Sequence, residues 1–209
     1  MAWPAPDRTK VLSDDRVTLT PLDVGAHGRA LFRAASIQTN GTDLFFYSPN
    51  PPATVTSEAE YLKYLEQKAA GPDLTYTVTR ALGNEIVGSV SLLNIRPDHG
   101  AVEAGSIWYT KNAQRTEVNT HALWLLLRYV FDELGYRRFE WKCHNENEAS
   151  KAAALRLGFQ YEGLFRQHQW MKGRNRDTAW YSIIDSEWPA VKERFIKKLL
   201  ADKSTTDEH

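Results

Sequence analysis

The stretch that most constrains the fold runs from Gly105 to Leu134, GSIWYTKNAQRTEVNTHALWLLLRYVFDEL. Its first residues have the composition of a strand, its middle is a short polar loop, and its end has the apolar spacing of a helix. The helical stripe consists of Leu123, Leu126, Leu127, Val130 and Leu134. A loop that opens a helix attracts anions, because the amides of the first turn lack intrahelical partners and the helix dipole is positive there. We therefore expect this junction to hold a phosphate-bearing cofactor.

Charge and cysteine content limit the other partners. The 26 basic and 26 acidic residues give zero net charge, which predicts binding neither to nucleic acid nor to an anionic membrane. Cys143 is the only cysteine, which excludes an internal disulfide and a zinc site of several cysteines. A single cysteine also suggests a reducing compartment. The first ten residues lack the apolar run of a signal peptide, so we expect a cytoplasmic protein without a bound metal.

The chain divides into a short arm, one domain and a tail. Residues 1–15 are rich in proline and charge and predict a flexible N-terminal arm. Residues 16–200 carry all the periodic segments and predict a single folded domain, whereas residues 201–209 predict a polar tail. Within the domain, residues 43–55 contain three prolines and predict a long loop. Loops of that length in compact domains often serve the function of the protein.

The order of the predicted elements indicates an α+β fold. One strand and two helices come first, two strands then form a hairpin around residues 82–84, and a third strand ends at the polar loop. In the second strand of the hairpin, Gly88 would let a neighbouring backbone approach closely. Further strands and helices are predicted at 137–143, 145–157, 159–171, 177–184 and 185–200. We expect a mixed, mostly antiparallel twisted sheet of about seven strands flanked by helices.

Three motifs carry a resemblance to a known family. They read Gln114-Arg115-Thr116-Glu117-Val118-Asn119-Thr120, Asn147-Glu148-Ala149-Ser150 and Leu157-Gly158-Phe159. With them the chain resembles the GNAT superfamily of acetyl-CoA-dependent N-acetyltransferases, and within it the branch of the ribosomal-protein-alanine acetyltransferases. The resemblance covers roughly Arg16 to Pro189 and implies the GNAT fold, its activity and acetyl-CoA as the cofactor.

The chain departs from the family in the polar loop. Glu117 and Asn119 stand where the superfamily usually has glycines, which permit close backbone approach and positive φ. Asparagine tolerates the left-handed backbone better than other non-glycine residues do, so we expect Asn119 to stand in for a glycine and the loop to bind the cofactor. A degenerate loop that no longer binds is the alternative.

The resemblance implies roles for the residues of these motifs. Main-chain amides of Gln114 to Thr120 would hold the pyrophosphate, and backbone N–H groups of Ile107, Trp108 and Tyr109 would polarise the thioester carbonyl. Asn147 and Ser150 would line the pantetheine, and the Ser150 hydroxyl would assist the leaving thiolate. Alternatively, Asn147 is only the N-cap of a helix and Ser150 a residue on its surface.

Glu103 lies on the strand before the loop, where some superfamily members carry the general base. An ammonium must lose its proton before it attacks a thioester, and a carboxylate can take that proton directly or through a water. His99, His144 and His168 are the other candidates. Strand carboxylates are often only solvated, so a purely structural Glu103 stays open.

The predicted acceptor pocket is partly aromatic. Phe45 and Tyr47 lie in the long loop, and Arg166, His168 and Trp170 fall on one face of a strand by alternation. Aromatic residues in strands belong more often to the core, which is the alternative for these rings.

Three further polar or reactive residues are given structural roles. We expect Arg174 and Arg176 to pair with acidic neighbours rather than bind phosphate, and Cys143 to be a small core residue rather than a nucleophile.

The sequence thus predicts direct acetyl transfer, without a covalent enzyme intermediate, to the primary amine of a small molecule or of a protein N-terminus. A catalytically inactive acyl-CoA-binding sensor of the same fold and an acyltransferase for longer chains are the alternatives. The sensor would be favoured by Glu103 in a buried structural ion pair and by an acceptor groove filled with side chains. A homodimer is one option for the assembly.

Overall fold

The structure, a computed structural model, describes residues 2–36, 45–48 and 57–204. Its strands are β1 Leu12–Ser13, β2 Val17–Pro21, β3 Leu74–Arg80, β4 Glu85–Arg96, β5 Ala101–Tyr109, β6 Arg138–His144, β7 Gln160–Met171 and β8 Arg174–Ile184. They form one sheet in the order β1-β2-β3-β4-β5-β6-β8-β7. Only β5 and β6 pair in parallel, and all other neighbours are antiparallel. The predicted mixed sheet is confirmed, with eight strands where about seven were expected.

Five α-helices flank the sheet within the described residues. They are α1 Val24–Ser36, α2 Glu58–Ala70, α3 Val118–Arg128, α4 Glu148–Arg156 and α5 Trp188–Ser204. In this part of the chain no helix combines the length and the apolar character needed to cross a membrane. The C-terminal helix reaches four residues into the segment that was expected to be a tail. Residues 205–209 and the proline-rich part of the long loop lie outside the described residues.

Two apolar clusters pack on opposite faces of the sheet. The larger contains the buried leucines of α3, among them Leu123 and Leu126 of the predicted stripe. The smaller lies under α1 and α2 and joins Tyr61 to Trp108 of β5. Trp108 and Tyr109 are consecutive yet belong to different clusters, as alternation along a strand requires. The sheet therefore has a helical layer on each side of β5.

The predicted hairpin and its close backbone approach are both confirmed. β3 and β4 pair antiparallel around the turn at Leu82–Asn84. Gly88 of β4 lies opposite Tyr109 of β5, and a Cβ on Gly88 would stand 2.2 Å from the carbonyl oxygen of Trp108. Because that oxygen belongs to the backbone, only glycine fits at this position.

The long helix predicted after the polar loop has two parts. α3 ends at Arg128, and Tyr129–Glu133 forms a π-helical turn. The amide of Leu134 donates to the carbonyl of Tyr129 at 3.0 Å, five residues earlier, which is the wider hydrogen bond of such a turn. Val130 and Leu134 nevertheless stay buried, so the apolar stripe survives the change of helix type.

The N-terminal segment packs on the domain where a flexible arm was expected. The indole Nε1 of Trp3 donates to the carbonyl of Gly135 at 2.7 Å, and Arg8 donates to carbonyls at the C-terminal end of α2. Asp14 and the buried His121 of α3 form a hydrogen bond of 2.7 Å. Hydrogen bonds to three separate parts of the domain thus hold the N-terminal segment in place, although its sequence has no apolar run.

Candidate active site

A V-shaped opening between β5 and β6 is the candidate active site. These two parallel strands pair only through Ala101–Ala104 and Arg138–Trp141. Beyond that point Gly105–Tyr109 stays with β4, whereas Lys142–His144 stays with β8, so the strands separate. The opening is therefore bordered by backbone groups that lack a neighbouring strand on that side.

A β-bulge in β5 accompanies this separation. Between two paired positions β4 advances by two residues while β5 advances by three, from Gly105 to Trp108. Ser106 in this stretch has a φ of 50°, in the left-handed region. A bulge bends its strand and interrupts the regular ladder. It places Ile107–Tyr109, the segment predicted to bind a thioester carbonyl, along the opening.

The loop after β5 leads into the N-terminus of α3. Glu117 precedes the helix, and its side chain makes no capping hydrogen bond. The amide of Val118 donates to the Thr116 hydroxyl at 3.3 Å. The amides of Asn119 and Thr120 belong to the first turn, which has no intrahelical acceptor for them. This end of α3 is consequently suited to an anion.

The left-handed residue of this loop is Arg115, and not Asn119. Arg115 has a φ of 61°, whereas Asn119 lies inside α3. The expectation that Asn119 replaces a glycine through its tolerance of positive φ is therefore wrong. The side chains of Gln114 and Thr116 donate to backbone carbonyls at 2.9 and 2.7 Å, so side-chain hydrogen bonds hold the loop in shape without glycines.

Ser150 lies on α4 beside the end of β6. Its hydroxyl oxygen accepts the indole N–H of Trp141 at 3.0 Å. Since this oxygen accepts from the indole, the O–H remains able to donate to a sulfur. Asn147 caps α4, because its side-chain oxygen accepts the amide N–H of Ser150 at 3.0 Å. The N-cap alternative for Asn147 is thus what the structure contains.

Cys143 is buried in the larger apolar cluster, as expected for a core residue. Burial raises the pKa of its thiol, which keeps the sulfur protonated and weakly nucleophilic.

Glu103 forms a buried ion pair on the face of the sheet opposite α3. Its Oε2 accepts hydrogen bonds from Lys142 Nζ at 2.8 Å and from the Asn94 side-chain amide at 2.6 Å. The other oxygen, Oε1, lies 3.7 Å from the place that a Cβ on Gly105 would occupy. Gly105 is the first residue of β5 beyond its pairing with β6. One carboxylate oxygen is thus held in the ion pair, and the other lies at the start of the opening.

Ion pairs continue from Glu103 across the sheet. Lys142 Nζ also lies 3.1 Å from Glu140, which pairs with Arg96 at 2.6 Å and with Arg138 at 2.8 Å. Burial alone would raise the pKa of Glu140, but hydrogen bonds from the two arginines and the charge of Lys142 outweigh it and lower the pKa to about 2. Glu140 is therefore ionised and anchors the lysine that holds Glu103.

The loop segment Phe45–Ser48 bridges the two strands that separate. Phe45 contacts Trp108 of β5 with ring centroids 6.0 Å apart, and Tyr47 contacts His144 of β6 at 5.3 Å. A lysine in the turn between β7 and β8 donates to the Phe45 carbonyl at 2.8 Å. Both loop residues that were predicted to line the acceptor pocket thus lie at the opening.

A polar cleft of about 830 Å³ adjoins the opening at the end of β6. It is lined by His144, Asn145, Glu146, Arg166, Gln167, Asn175 and Asp177. Such a lining suits a polar or charged ligand better than an apolar one.

β7 does not place the three predicted side chains on one face. Across an irregular stretch β7 advances by four residues while β8 advances by two, which breaks the alternation. Arg166 lines the cleft, His168 shares a hydrogen bond of 3.0 Å with the Thr178 hydroxyl, and Trp170 is 72% exposed. Of the three, only Arg166 lies in the cleft.

The histidines proposed as alternative bases are disfavoured by position or by hydrogen bonding. Nδ1 of His168 shares a hydrogen bond with the Thr178 hydroxyl, and this residue does not line the cleft. His99 precedes β5 at the closed end of its pairing with β6. Nδ1 of the buried His144 accepts the amide N–H of Glu146 at 3.1 Å, so the neutral ring carries its proton on Nε2 and has no free nitrogen to accept another proton. Burial also lowers the pKa of His144. Glu103 is left as the stronger candidate.

Comparison with known proteins agrees with this geometry. A family model described as an acetyltransferase (GNAT) domain matches residues 16–160. The chain belongs to the GNAT acetyltransferase family. The ribosomal-protein-serine acetyltransferase of Escherichia coli is 31% identical over 105 residues, which cover 50% of this chain and 58% of that protein. The chain therefore matches little more than half the length of this curated GNAT relative.

Solved GNAT structures extend the similarity over most of the chain. A GCN5-related N-acetyltransferase from Brucella melitensis is 40% identical with a TM-score of 0.88, covering 94% of this chain and 87% of that one. RimL, a ribosomal-protein α-N-acetyltransferase solved with coenzyme A in a disulfide with a cysteine, is 25% identical with a TM-score of 0.72. That match covers 85% of this chain and 99% of RimL. The resemblance seen in the sequence is confirmed, including its ribosomal-protein acetyltransferase-like branch.

The residues present fit the coenzyme A that a GNAT fold binds. The first turn of α3 offers amides for the pyrophosphate, the opening between β5 and β6 offers backbone groups for the pantetheine, and Ser150, whose oxygen accepts from Trp141, offers an O–H for the thiol sulfur.

Sequence reasoning missed Lys142, Trp141 and the bulge at Ser106. Lys142 and Glu140 are two residues apart on β6, which predicts that they share a face of the sheet but does not predict which residue of β5 Lys142 contacts. The register between β5 and β6 decides that partner, and it is set by tertiary packing.

Proposed function

We propose that this GNAT protein transfers the acetyl group of acetyl-CoA directly to the primary amine of a small molecule or of a protein N-terminus. The opening between β5 and β6 is the observation that carries this proposal. It joins an anion-suited helix terminus, a hydroxyl that can donate to sulfur and a buried carboxylate. Acetyl-CoA supplies a thioester whose carbonyl carbon the amine attacks, releasing the thiolate.

The first turn of α3 and the loop before it bind and orient the cofactor. The amides of Asn119 and Thr120 hold the pyrophosphate, and the exposed Arg115 adds a positive charge beside them. Backbone N–H groups of Ile107–Tyr109 donate to the developing oxyanion along the bulged strand. The cofactor meets the backbone of this loop, whose shape the Gln114 and Thr116 side chains hold in the absence of its usual glycines.

Ser150 and Glu103 handle the protons. The Ser150 O–H donates to the leaving sulfur, and the neighbouring Trp141 indole fixes the position of that oxygen. Oε1 of Glu103 takes the proton of the ammonium through a water, while Oε2 remains with Lys142. The branch to which RimL and the Escherichia coli relative belong supports a protein N-terminus as acceptor, and the polar cleft is equally open to a small amine.

The alternative of an inactive sensor would be favoured if Glu103 were held entirely in a structural ion pair and if side chains filled the acceptor groove. Glu103 is ion-paired through one oxygen only, and a cleft of about 830 Å³ adjoins the opening. An enzyme therefore accounts better for this arrangement than a sensor does.

Two measurements test the proposal. Acetyl-CoA at a hundred times its Kd should stabilise the fold by about 2.7 kcal/mol. For a chain of this size that corresponds to a rise in Tm of roughly 5–10 °C. Incubation with primary amines and N-terminal peptides should release free thiol in proportion to the acetylated product. A thermal shift without thiol release from any acceptor would favour the sensor, and the absence of both would refute the cofactor site.

A further inference from the structure

Arg176 is a buried arginine without a partner among the described residues. It is 7% exposed, and its Nε and Nη1 make no hydrogen bond. No described carboxylate lies within ion-pair distance of it, in contrast to Arg138, which pairs with Glu140 and Glu162. Arg174, two residues away, pairs with Glu146 at 3.1 Å as predicted. For Arg176 the expectation of an acidic neighbour is wrong.

The position of Arg176 relates it to the active site. On β8, Thr178 is the partner of His144, the last residue of β6, so Arg176 lies two residues past the end of that strand. Alternation along β8 places Arg176 on the same face as Thr178 and Trp180. The Trp180 ring lies under the Lys142 ammonium at 3.9 Å, which puts this face on the side of Glu103.

Electrostatics support this placement. The charge of Arg176 is among the influences that lower the pKa of His144, after burial. Burial lowers the pKa of Arg176, and the negative charge of Glu103 opposes this by raising it. The guanidinium is therefore near both residues, yet it touches neither of them.

A guanidinium without a partner in the protein interior is unfavourable, because a buried charge loses its hydration and receives nothing in exchange. Arginine cannot escape by losing its proton, since its pKa is far above neutrality. A carboxylate restores the lost interactions, because its planar oxygens match the guanidinium donors. An anionic ligand is the partner that this side chain lacks.

We propose that Arg176 binds a carboxylate of the acceptor, so that the preferred acceptor is a primary amine that also carries a carboxylate a few bonds away. This inference rests on the acetyl transfer proposed above. It assigns the substrate class rather than the reaction, and Arg176 acts as a specificity-determining residue.

The distances within the sheet fit an acceptor group better than the cofactor pyrophosphate. The pyrophosphate site follows β5, whereas β8 is two strands away, or roughly 10 Å at the usual strand spacing. An amine in the opening between β5 and β6 is separated from β8 by β6 alone, and the long arginine side chain can extend across one strand. The carboxylate therefore lies close to the amine, as in an α-amino acid or in a peptide with an acidic residue next to its N-terminus.

Matched acceptors test this proposal, and they distinguish an α-amino acid from an acidic peptide as the source of the carboxylate. One arm compares L-amino acids with their α-carboxamides. The other compares C-terminally amidated peptides Ser-Asp-Ala and Ser-Asn-Ala. One of these two comparisons contains the kind of acceptor that the protein acetylates. In that comparison, the kcat/KM of the wild-type protein should be roughly tenfold to a hundredfold higher for the carboxylate than for the amide, the range expected for a hydrogen bond to a charged group. Arg176→Gln and Arg176→Met should bring that ratio close to one.

Arg137→Gln is the matched control, because Arg137 is an exposed arginine outside the cleft, where its Nε donates to the His99 carbonyl at 2.8 Å. It should retain the preference. Equal kcat/KM for both members of every pair, or a preference that Arg137→Gln abolishes and Arg176→Gln retains, would overturn the proposal. The Tm shift with acetyl-CoA, measured on each variant, shows that the fold and the cofactor site persist.

A binding measurement keeps the proposal testable if no acceptor is acetylated. N-acetyl amino acids and their amides can be titrated into the complex with coenzyme A. Tighter binding of the acids that depends on Arg176 supports the carboxylate site even when transfer fails, and equal binding of acids and amides refutes it. Failure of transfer and failure of the carboxylate site are thereby told apart.

Discussion

Gly88→Ala should disturb both the fold and the active site, because Gly88 touches the strand that borders the opening. The new Cβ would stand 2.2 Å from the Trp108 carbonyl oxygen, 2.8 Å from Tyr109 Cδ1 and 3.0 Å from Tyr109 Cα. Ordinary contacts begin near 3.4 Å, so β4 and β5 must separate by about 1 Å. The colliding atoms include backbone, which cannot rotate away as a flexible side chain can.

Two magnitudes follow from that displacement. Overpacking of this kind costs about 1–3 kcal/mol of the free energy of unfolding. The displaced segment, Ile107–Tyr109, is the one proposed to donate to the oxyanion, and a misplacement of about 1 Å in such a site costs on the order of a hundredfold in rate. Urea denaturation should show a lower midpoint with an unchanged m-value. Thiol release should show the loss in kcat.

The matched control is Gly25→Ala in α1, where the added Cβ has one neighbour within 4 Å, the Asp23 carboxylate oxygen at 3.3 Å. Alanine favours the helix by up to about 1 kcal/mol, whereas the Asp23 oxygen must move by a few tenths of an ångström, so the stability of this variant should stay within about 1 kcal/mol of the wild type. If Gly88→Ala unfolds at the same urea concentration as the wild type and turns over equally fast, the close approach of β4 to β5 does not constrain the site, and the reasoning fails.

Three further substitutions test individual groups. Ser150→Ala should lower kcat roughly tenfold to a hundredfold and leave the affinity for acetyl-CoA nearly intact, because only the leaving sulfur loses a donor; an unchanged kcat would remove its catalytic role. Glu103→Gln should lower kcat/KM at neutral pH by about a hundredfold and recover at high pH, where the amine is already deprotonated. A parallel pH profile for variant and wild type would make Glu103 purely structural. Glu140→Gln should destabilise the fold above about pH 4.5, and its difference from the wild type should vanish as the pH falls toward 2.

The arginines and the lysine around Glu140 lower its pKa, and this determines how the stability it contributes depends on pH. The folded protein lowers the pKa of this carboxyl from 4.5 to about 2, so the unfolded chain binds more protons between these values. The stabilisation is therefore complete above the unfolded pKa and is lost as acid titrates the folded carboxylate. Denaturation curves of both proteins at several pH values measure it, and a difference that persists at pH 2 contradicts the ion-pair explanation.

Much of the active site is shaped by irregular backbone, which the pattern of residues in the sequence does not predict. Nothing in Ser106 or Arg115 marks them as left-handed, since neither is a glycine or an asparagine, yet they carry φ of 50° and 61°. Their conformations are imposed by strands and a helix that are fixed elsewhere. The irregular stretch of β7 likewise separated Arg166 from His168, which simple alternation had placed on one face.

The sequence by itself determined the elements, their order and the family. The leucine stripe of α3 and the hairpin are local consequences of spacing and residue type, which act within a few residues. Only the tertiary structure decided what the polar groups meet. The register between β5 and β6 places Glu103 opposite Glu140 and within hydrogen-bonding distance of Lys142, and the end of β6 leaves Arg176 buried without a partner among the described residues. Charges interact across strands distant in sequence, so their partners follow from packing and not from the local pattern.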